Sequence, residues 1–273
     1  MEKGTVVVTG AAGGMGQAVC RLLCERGYRV WKLDITDRND TDYIRTDITS
    51  EQSVLSAADH IRSVSGKVDA VVNMAGIYDM NSLVEMSEEE FLRIFNINFF
   101  GMYRVNKAFL PLLNPNSRIV MVSSELAPLD PLPFTGIYGI TKSTIEKYAY
   151  SLRMELQLLG HSVSVIRPGA VKTSLLDVSQ KRIEHFCDNT ELYKNTSRRF
   201  LALVNKVETA NVLPEKVASV VLRSLEERHP RYVYNLNRSP LLRLLNILPQ
   251  HMQNWIIRKI LSNRKKVSSP SAF

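Results

Sequence analysis

Through the first two-thirds of the chain, short runs of β-branched and aliphatic residues alternate with longer segments whose apolar positions recur every three to four residues. Residues 5–8, 30–33, 43–45, 70–72, 119–122 and 163–166 read as buried strands. Between them, Met15, Val19, Leu22 and Leu23 form one helical stripe, and Phe91, Leu92, Ile94 and Phe95 form another. Strand, helix, strand repeated in this way predicts right-handed crossovers and a doubly wound α/β fold, with a parallel sheet covered by helices on both faces. A further helix is expected around residues 214–227 and a short strand at 232–234. Residues 268–273 read as disordered.

Two regions break the alternation. Residues 172–209 follow the last convincing long strand and mix charges with Phe186, Tyr193, Phe200 and Leu201. A long insertion at the carboxyl end of a sheet strand is where open α/β folds hold ligands, so a substrate lid is expected there. The second region is the chain's end. Nothing resembling a linker separates it, so residues 1–235 are expected to form one domain and 236–273 an extension of it.

Charge sharpens that division. The formal net charge is +8, yet no acidic residue follows Glu227, and nine lysines and arginines do. Subtracting those nine leaves −1 for everything before them: a near-neutral body with a basic end. Within that end, Leu241, Leu242, Leu244, Leu245, Ile247 and Leu248 precede Pro249. Trp255, Ile256, Ile257, Ile260 and Leu261 follow, interleaved with Arg258 and Lys259 and then Arg264, Lys265 and Lys266. Apolar groups flanked by cations suit peripheral attachment to an anionic membrane. They equally suit helices that close over a substrate cleft or a subunit interface, and both readings stand. Nucleic acid is not an expected partner, because aromatic interleaving is sparse.

Composition adds limits. Hydrophobic residues make up 45% and charged residues 23%, ordinary for a globular core. Cys20, Cys24 and Cys187 are too few, and odd in number, for a disulfide framework, and no metal-ligating set is apparent. A strand pattern begins at Thr5 without a basic leader, and no segment supplies the roughly 20 apolar residues of a membrane span. A reducing, cytoplasmic setting is expected, with membrane contact only through the tail.

The candidate chemistry begins where the first strand ends, in Thr9-Gly10-Ala11-Ala12-Gly13-Gly14-Met15-Gly16. Glycines let a backbone turn sharply and approach a pyrophosphate closely, and the helix that follows offers free N–H groups and a positive dipole. The turn has the required context, a strand before and an amphipathic helix after. Asp34 closes the second strand, 18 residues beyond Gly16. A carboxylate there accepts bonds from ribose hydroxyls and repels a 2′-phosphate, favouring NAD over NADP, although Arg38 nearby offers a phosphate partner. Tyr138 and Lys142 stand one helical turn apart, on one face. A phenol titrates near about 10, and an adjacent ammonium favours the phenolate, which brings proton transfer within reach.

As a set, Thr9-Gly10-(x)3-Gly14-x-Gly16, Asn73-Met74-Ala75-Gly76, Asn98 within Ile97-Asn98-Phe99-Phe100-Gly101, Ser123-Ser124, Tyr138-(x)3-Lys142 and Pro168-Gly169-(x)3-Thr173 share the order and spacing of the short-chain dehydrogenase/reductase family, which the chain resembles over residues 4–235. The resemblance implies a single-domain Rossmann fold of about seven strands. It also implies a catalytic set of Asn98, Ser124, Tyr138 and Lys142. Ser124 would polarise the substrate oxygen, Lys142 would also hold the nicotinamide ribose, and Asn98 would seat a water in a proton relay. Met15 belongs to the phosphate turn, and Asp47, before Ile48, would contact adenine. Asn73, Ala75 and Gly76 would shape the cofactor cleft. Pro168 and Gly169 lead to Val171 and Thr173, which would meet the carboxamide. A homo-oligomer is expected.

One departure matters. The family's serine lies 13 residues before the tyrosine, where this chain has Glu125; Ser124 lies 14 before. The proline-rich stretch 128–133 offers a place for one extra residue, so Ser124 is taken as the catalytic serine, with Ser123 and Glu125 as alternatives. The tail loosely resembles the carboxyl ends of the retinol and hydroxysteroid dehydrogenase branch. The expected activity is therefore interconversion of an alcohol and a carbonyl on a lipophilic, steroid- or retinoid-like substrate. The alternatives are a membrane-associated NAD sensor or scaffold without turnover and a carbonyl reductase for small polar substrates.

Overall fold

Three consecutive valines form the centre of β1 (Thr5–Thr9), and their alternation decides how the layers assemble. Successive strand side chains point to opposite faces. Val6 and Val8 accordingly enter one core cluster and Val7 the other, all three fully buried. A computed structural model of the chain describes residues 3–208 and 211–262, with side chains described except at 174–180 and 206–208. Thr209, Arg264, Lys265, Lys266 and residues 268–273, which figure in the expected lid and tail, lie outside the described residues.

The strands that follow are β2 (Arg29–Asp34), β3 (Tyr43–Arg45), β4 (Val68–Asn73), β5 (Leu113–Val122), β6 (Ser162–Pro168) and β7 (Val233–Leu236). They form one seven-stranded sheet in the order β3-β2-β1-β4-β5-β6-β7, and every pair is parallel. The expected strands are present, most of them longer than the apolar run alone suggests. The last extends two residues past Tyr234, pairing Asn235 and Leu236 with Arg167 and Pro168. The polar, exposed Asn235 hides that end from a hydrophobicity reading.

One face of the sheet is covered by α1 (Gly14–Glu25) and α8 (Pro214–Glu226), packed through Ala18, Val19, Leu23, Val217 and Val221. The other carries α2 (Glu51–Ser65), α4 (Gly101–Phe109) and α5 (Gly136–Leu156), through Val54, Ile61, Val105, Phe109, Ile145 and Ala149. Burying a valine, leucine, isoleucine or phenylalanine side chain stabilises by about 1.5–3 kcal/mol, so these two layers contribute much of the fold's stability. Between them, α3 (Glu88–Phe95) starts at a capping box in which Ser87 and Glu90 satisfy each other's backbone N–H groups. The stripe expected on α3 is only partly a core face. Ile94 is buried and Phe91 stacks on Phe95, while Leu92 faces solvent. The chain continues through a π-helical stretch, Asn96–Phe100, which rotates the inward face so that Asn98 takes the fully buried position. Such π turns recur at functional sites.

From β1 the chain runs to β2 on one side, while β4 lies on the other, so the strand order reverses at β1. In open parallel sheets the crevice at the carboxyl ends beside such a reversal is the place for a ligand. Here those ends are Thr9, Asp34, Asn73, Val122 and Pro168. Above that edge lies a third layer, made of α6 (Ser174–Asn189), α7 (Lys194–Glu208), α9 (Pro240–Ile247) and α10 (Gln250–Leu261). Its core joins Ile183, Phe186, Cys187, Phe200 and Leu261 to Met80 and Phe134. The expected lid segment thus folds as two helices. It is anchored by Arg182 on Asp79 (2.6 Å) and by Glu85, which accepts from Thr190 Oγ1 and the amides of Glu191 and Leu192. Among the described residues, no helix is long and apolar enough to cross a membrane.

Candidate active site

The glycine-rich turn is held from three sides. Gly10 adopts φ +69°, and a Cβ there would lie 2.7 Å from the amide nitrogen of Ala75, so the turn rests directly on the end of β4. Thr9 Oγ1 accepts from the amides of Met74 and Ala75 (3.2 and 3.3 Å), and Asp34 Oδ2 accepts from Ala12 N–H (2.9 Å). A Cβ on Gly16 would collide with the carbonyl of Gly10 and lie 2.9 Å from Ala11 Cα. At Gly14 a Cβ would meet Thr173 Cγ2 at 2.9 Å, so the segment after β6 closes against the start of α1. No side chain caps α1, and a Cβ on its N-cap residue Gly13 would meet only one atom, at 3.4 Å. An uncapped helix N-terminus fits a pyrophosphate.

The other expected cofactor residues fall around this turn in different ways. Asp34 also accepts from Thr36 N–H (3.0 Å), and Arg38 donates to the Ala12 carbonyl (3.3 Å), so both a carboxylate and a guanidinium reach the turn. Asp47 Oδ1 accepts from the amide and hydroxyl of Thr49 (2.8 and 2.7 Å), a local turn, while Ile48 packs against Gly101. Asn73 donates to Asn106 Oδ1 (2.8 Å) at the end of β4. Gly76 lies beside the residues expected to be catalytic: a Cβ there would sit 3.2 Å from Asn98 Oδ1 and 3.7 Å from Lys142 Nζ. Gly169 has a structural use, because a Cβ would run into the carbonyl of Asn237 where β7 leaves the sheet. Val171 is buried and bridges to Val212.

Tyr138 and Lys142 sit on the first turns of α5, with Lys142 Nζ 5.5 Å from the Tyr138 ring centroid. Lys142 is buried, and Tyr138 is half-buried and lines the cleft. Burial pushes the Tyr138 phenol up to about 12, partly opposed by a hydrogen bond with Ser124, and pushes the Lys142 ammonium down to about 8. The burial shift on the phenol runs opposite to the lowering expected from the lysine. Lys142 Nζ donates to the Val122 carbonyl (3.1 Å), and loss of water around each group is the first cause of its shift.

Placement separates the three candidates for the serine's position. Ser124 lines the cavity beside Tyr138, where it partly offsets the rise in the phenol's pKa, and its Oγ accepts from Leu126 N–H (3.2 Å). Ser123 turns beneath the site, with its hydroxyl on Glu146 Oε1 (3.1 Å) and the Lys142 carbonyl (3.4 Å). Glu125 points elsewhere: its carboxylate accepts at 2.6 Å from the N–H of Ser239, the N-cap residue of α9. Burial raises the Glu125 pKa, with the Ser239 bond and the Arg238 charge opposing. Asn98 directs its side chain to the backbone of Ile77, accepting at 2.8 Å and donating at 3.0 Å, and to Thr141 Oγ1 at 3.2 Å.

Above Tyr138 and Ser124 opens a cavity of about 320 Å³, lined chiefly by apolar side chains that include Met80, Leu132, Leu203, Val204, Leu245 and Ile257. The inner sides of α9 and α10 form part of its wall, so the tail does fold over the cleft. Three hydrogen bonds bind this wall to the loop between β5 and α5: Asp130 N–H to Asn246 (2.8 Å), Gln253 to Asp130 (3.0 Å), and the Glu125–Ser239 bond already described.

Two contributors lie outside the expected site residues. Tyr78 packs edge-on against Tyr138, with centroids 4.6 Å apart, yet it lies in a loop with no periodicity. Thr141 is fully buried between Asn98 and the Tyr138 carbonyl (2.8 Å); its place immediately before Lys142 on the inward face of α5 is the available clue.

A family-wide profile described as short chain dehydrogenase matches residues 4–184. The chain belongs to the short-chain dehydrogenase family. A 3-ketodihydrosphingosine reductase of Bacteroides thetaiotaomicron is 26% identical over 267 residues, covering 94% of this chain and 98% of that one. Retinol dehydrogenase 16 of Mus musculus is 31% identical over 223 residues, covering 76% and 68%. Among solved structures, the ligand-free aldohexose dehydrogenase of Thermoplasma acidophilum superposes with a TM-score of 0.73 at 24% identity, covering 88% and 96%, which shows the shared fold. This short-chain dehydrogenase is accordingly an oxidoreductase of alcohols and carbonyls that uses a nicotinamide dinucleotide.

Proposed function

We propose that the chain interconverts a hydroxyl and a carbonyl on a lipophilic substrate, with NAD as the preferred cofactor. The observation that carries this reading is the apolar cavity directly above Tyr138 and Ser124. Two relatives named for lipophilic substrates, 3-ketodihydrosphingosine and retinol, point the same way. A small polar substrate would leave most of that wall unsatisfied.

In this reading a bound nicotinamide dinucleotide supplies the hydride donor or acceptor. Ser124 donates to the substrate oxygen, and Tyr138 gives a proton to that oxygen in reduction or takes it in oxidation. Lys142 lies beside the phenol with its charge desolvated. Asn98 acts through Thr141 to hold the first turn of α5 in place. The uncapped start of α1 receives the pyrophosphate, and Asp34 faces the ribose, where its charge disfavours a 2′-phosphate.

The test is an absorbance screen for reduced nicotinamide across long-chain ketones, steroids, retinoids, sugars and hydroxy acids, with NAD and NADP in parallel. The reading expects turnover on apolar substrates with NAD. Turnover confined to sugars or hydroxy acids would overturn the substrate class, and preference for NADP would transfer the cofactor role from Asp34 to Arg38.

A further inference from the structure

The helices that wall the cavity have a second, unpartnered side. Leu242 and Leu261 face inward and are buried. On the outer side of α9, Leu241, Leu244 and Ile247 recur three residues apart, 62%, 62% and 78% exposed, and form one ridge. On α10, Trp255 is likewise exposed, with Lys259 Nζ 4.7 Å over its ring. The two sides meet at the cavity's rim, because Leu241 and Ile260 both line the cavity and stand at least half exposed. An apolar path therefore runs from the outer ridge to Tyr138.

Charge selects what covers this surface. Arg243, Arg258 and Lys259 are exposed among the apolar side chains, and no acidic residue follows Glu227 anywhere in the sequence. A second copy set face to face on the ridge would bring cation against cation. An anionic bilayer satisfies both features, taking the leucines, isoleucine and tryptophan into its interface and the cations among its headgroups.

We propose that the outer face of α9 and α10 docks on an anionic lipid surface and sets the cavity's mouth against the membrane, so that an apolar substrate passes from lipid to Tyr138. Docking stands on the exposed face alone; only the delivery of substrate rests on the lipophilic reading above.

The test is sedimentation of the full chain with vesicles of phosphatidylcholine, with and without phosphatidylserine. Binding to the phosphatidylserine vesicles is expected to exceed binding to phosphatidylcholine alone by about tenfold and to weaken with salt. A variant carrying Leu244→Ser, Ile247→Ser and Trp255→Ser is expected to lose about tenfold in vesicle binding, with its melting temperature retained. No sedimentation, equal binding to both vesicle types, or binding unaffected by the triple change would each overturn the proposal. So would light scattering that shows a dimer dissociated by the same variant. Sedimentation requires no turnover, so its failure leaves the oxidoreductase reading intact, and inactivity on apolar substrates leaves docking intact.

Discussion

Glu125 occupies the position where the family pattern places its serine, and its carboxylate instead fastens the start of α9 to the loop between β5 and α5. Truncation to alanine removes a bond of 2.6 Å to Ser239 N–H. A hydrogen bond to a charged group contributes about 1.5–3 kcal/mol. Burial raises the pKa of this carboxylate, so removing it also relieves a desolvation cost, and the net loss should fall near about 1–2 kcal/mol. In a domain of this size that lowers the melting temperature by about 2–8 °C. The functional consequence is more selective. Since α9 and α10 wall the cavity while the nucleotide turn lies across the cleft, KM for an apolar substrate should rise severalfold with the nucleotide Kd unchanged. Glu125→Gln, which keeps an acceptor, should recover most of both losses. Thermal denaturation and steady-state kinetics with nucleotide titration make the measurement. Unchanged melting and unchanged KM in Glu125→Ala would refute the fastening role, and a large loss of nucleotide affinity would move Glu125 to the cofactor site.

Three other outcomes follow from the geometry. Ser124→Ala should lower kcat by about 10²-fold or more, as loss of one preorganised donor does, whereas Ser123→Ala should act on stability alone; the reverse pattern in kinetics would move the catalytic serine to Ser123. Gly16→Ala forces a Cβ into the Gly10 carbonyl, and titration should show nucleotide affinity reduced by at least about tenfold, with the melting temperature lowered as the turn is displaced. With the Tyr138 phenol pushed up to about 12, the neutral form that donates a proton predominates at neutral pH, so oxidation should accelerate with rising pH while reduction does not. Initial rates in both directions between about pH 7 and 9 check this sign, and oxidation that slows with rising pH would contradict it.

The sheet is readable from the sequence because parallel strands buried on both faces leave near-continuous apolar runs, and β1, β2, β4 and β6 each have one. The glycine turn is readable for a different reason: its residues are fixed by backbone clearance, as the contacts at Gly10 and Gly16 make plain. Features set by long-range contact leave no such mark. Tyr78 meets Tyr138 from a separate loop, Glu125 meets Ser239 across 114 positions, and the tail's place in the cavity wall depends on which side of α9 faces inward. The Tyr138 shift runs against the expected sign for the same reason, since desolvation depends on everything packed around the group and not on the neighbour one turn away.

The most direct test of the account is Tyr138→Phe, measured for turnover and for nucleotide binding on the same preparation. Removal of the phenolic hydroxyl takes away the proton donor and acceptor but leaves the glycine turn, Asp34 and the ring's contact with Tyr78 in place. Turnover should fall by about 10²–10⁴-fold while nucleotide affinity stays within about twofold of the unaltered chain. Turnover retained at the unaltered rate would contradict the assignment of Tyr138 as the acid and base.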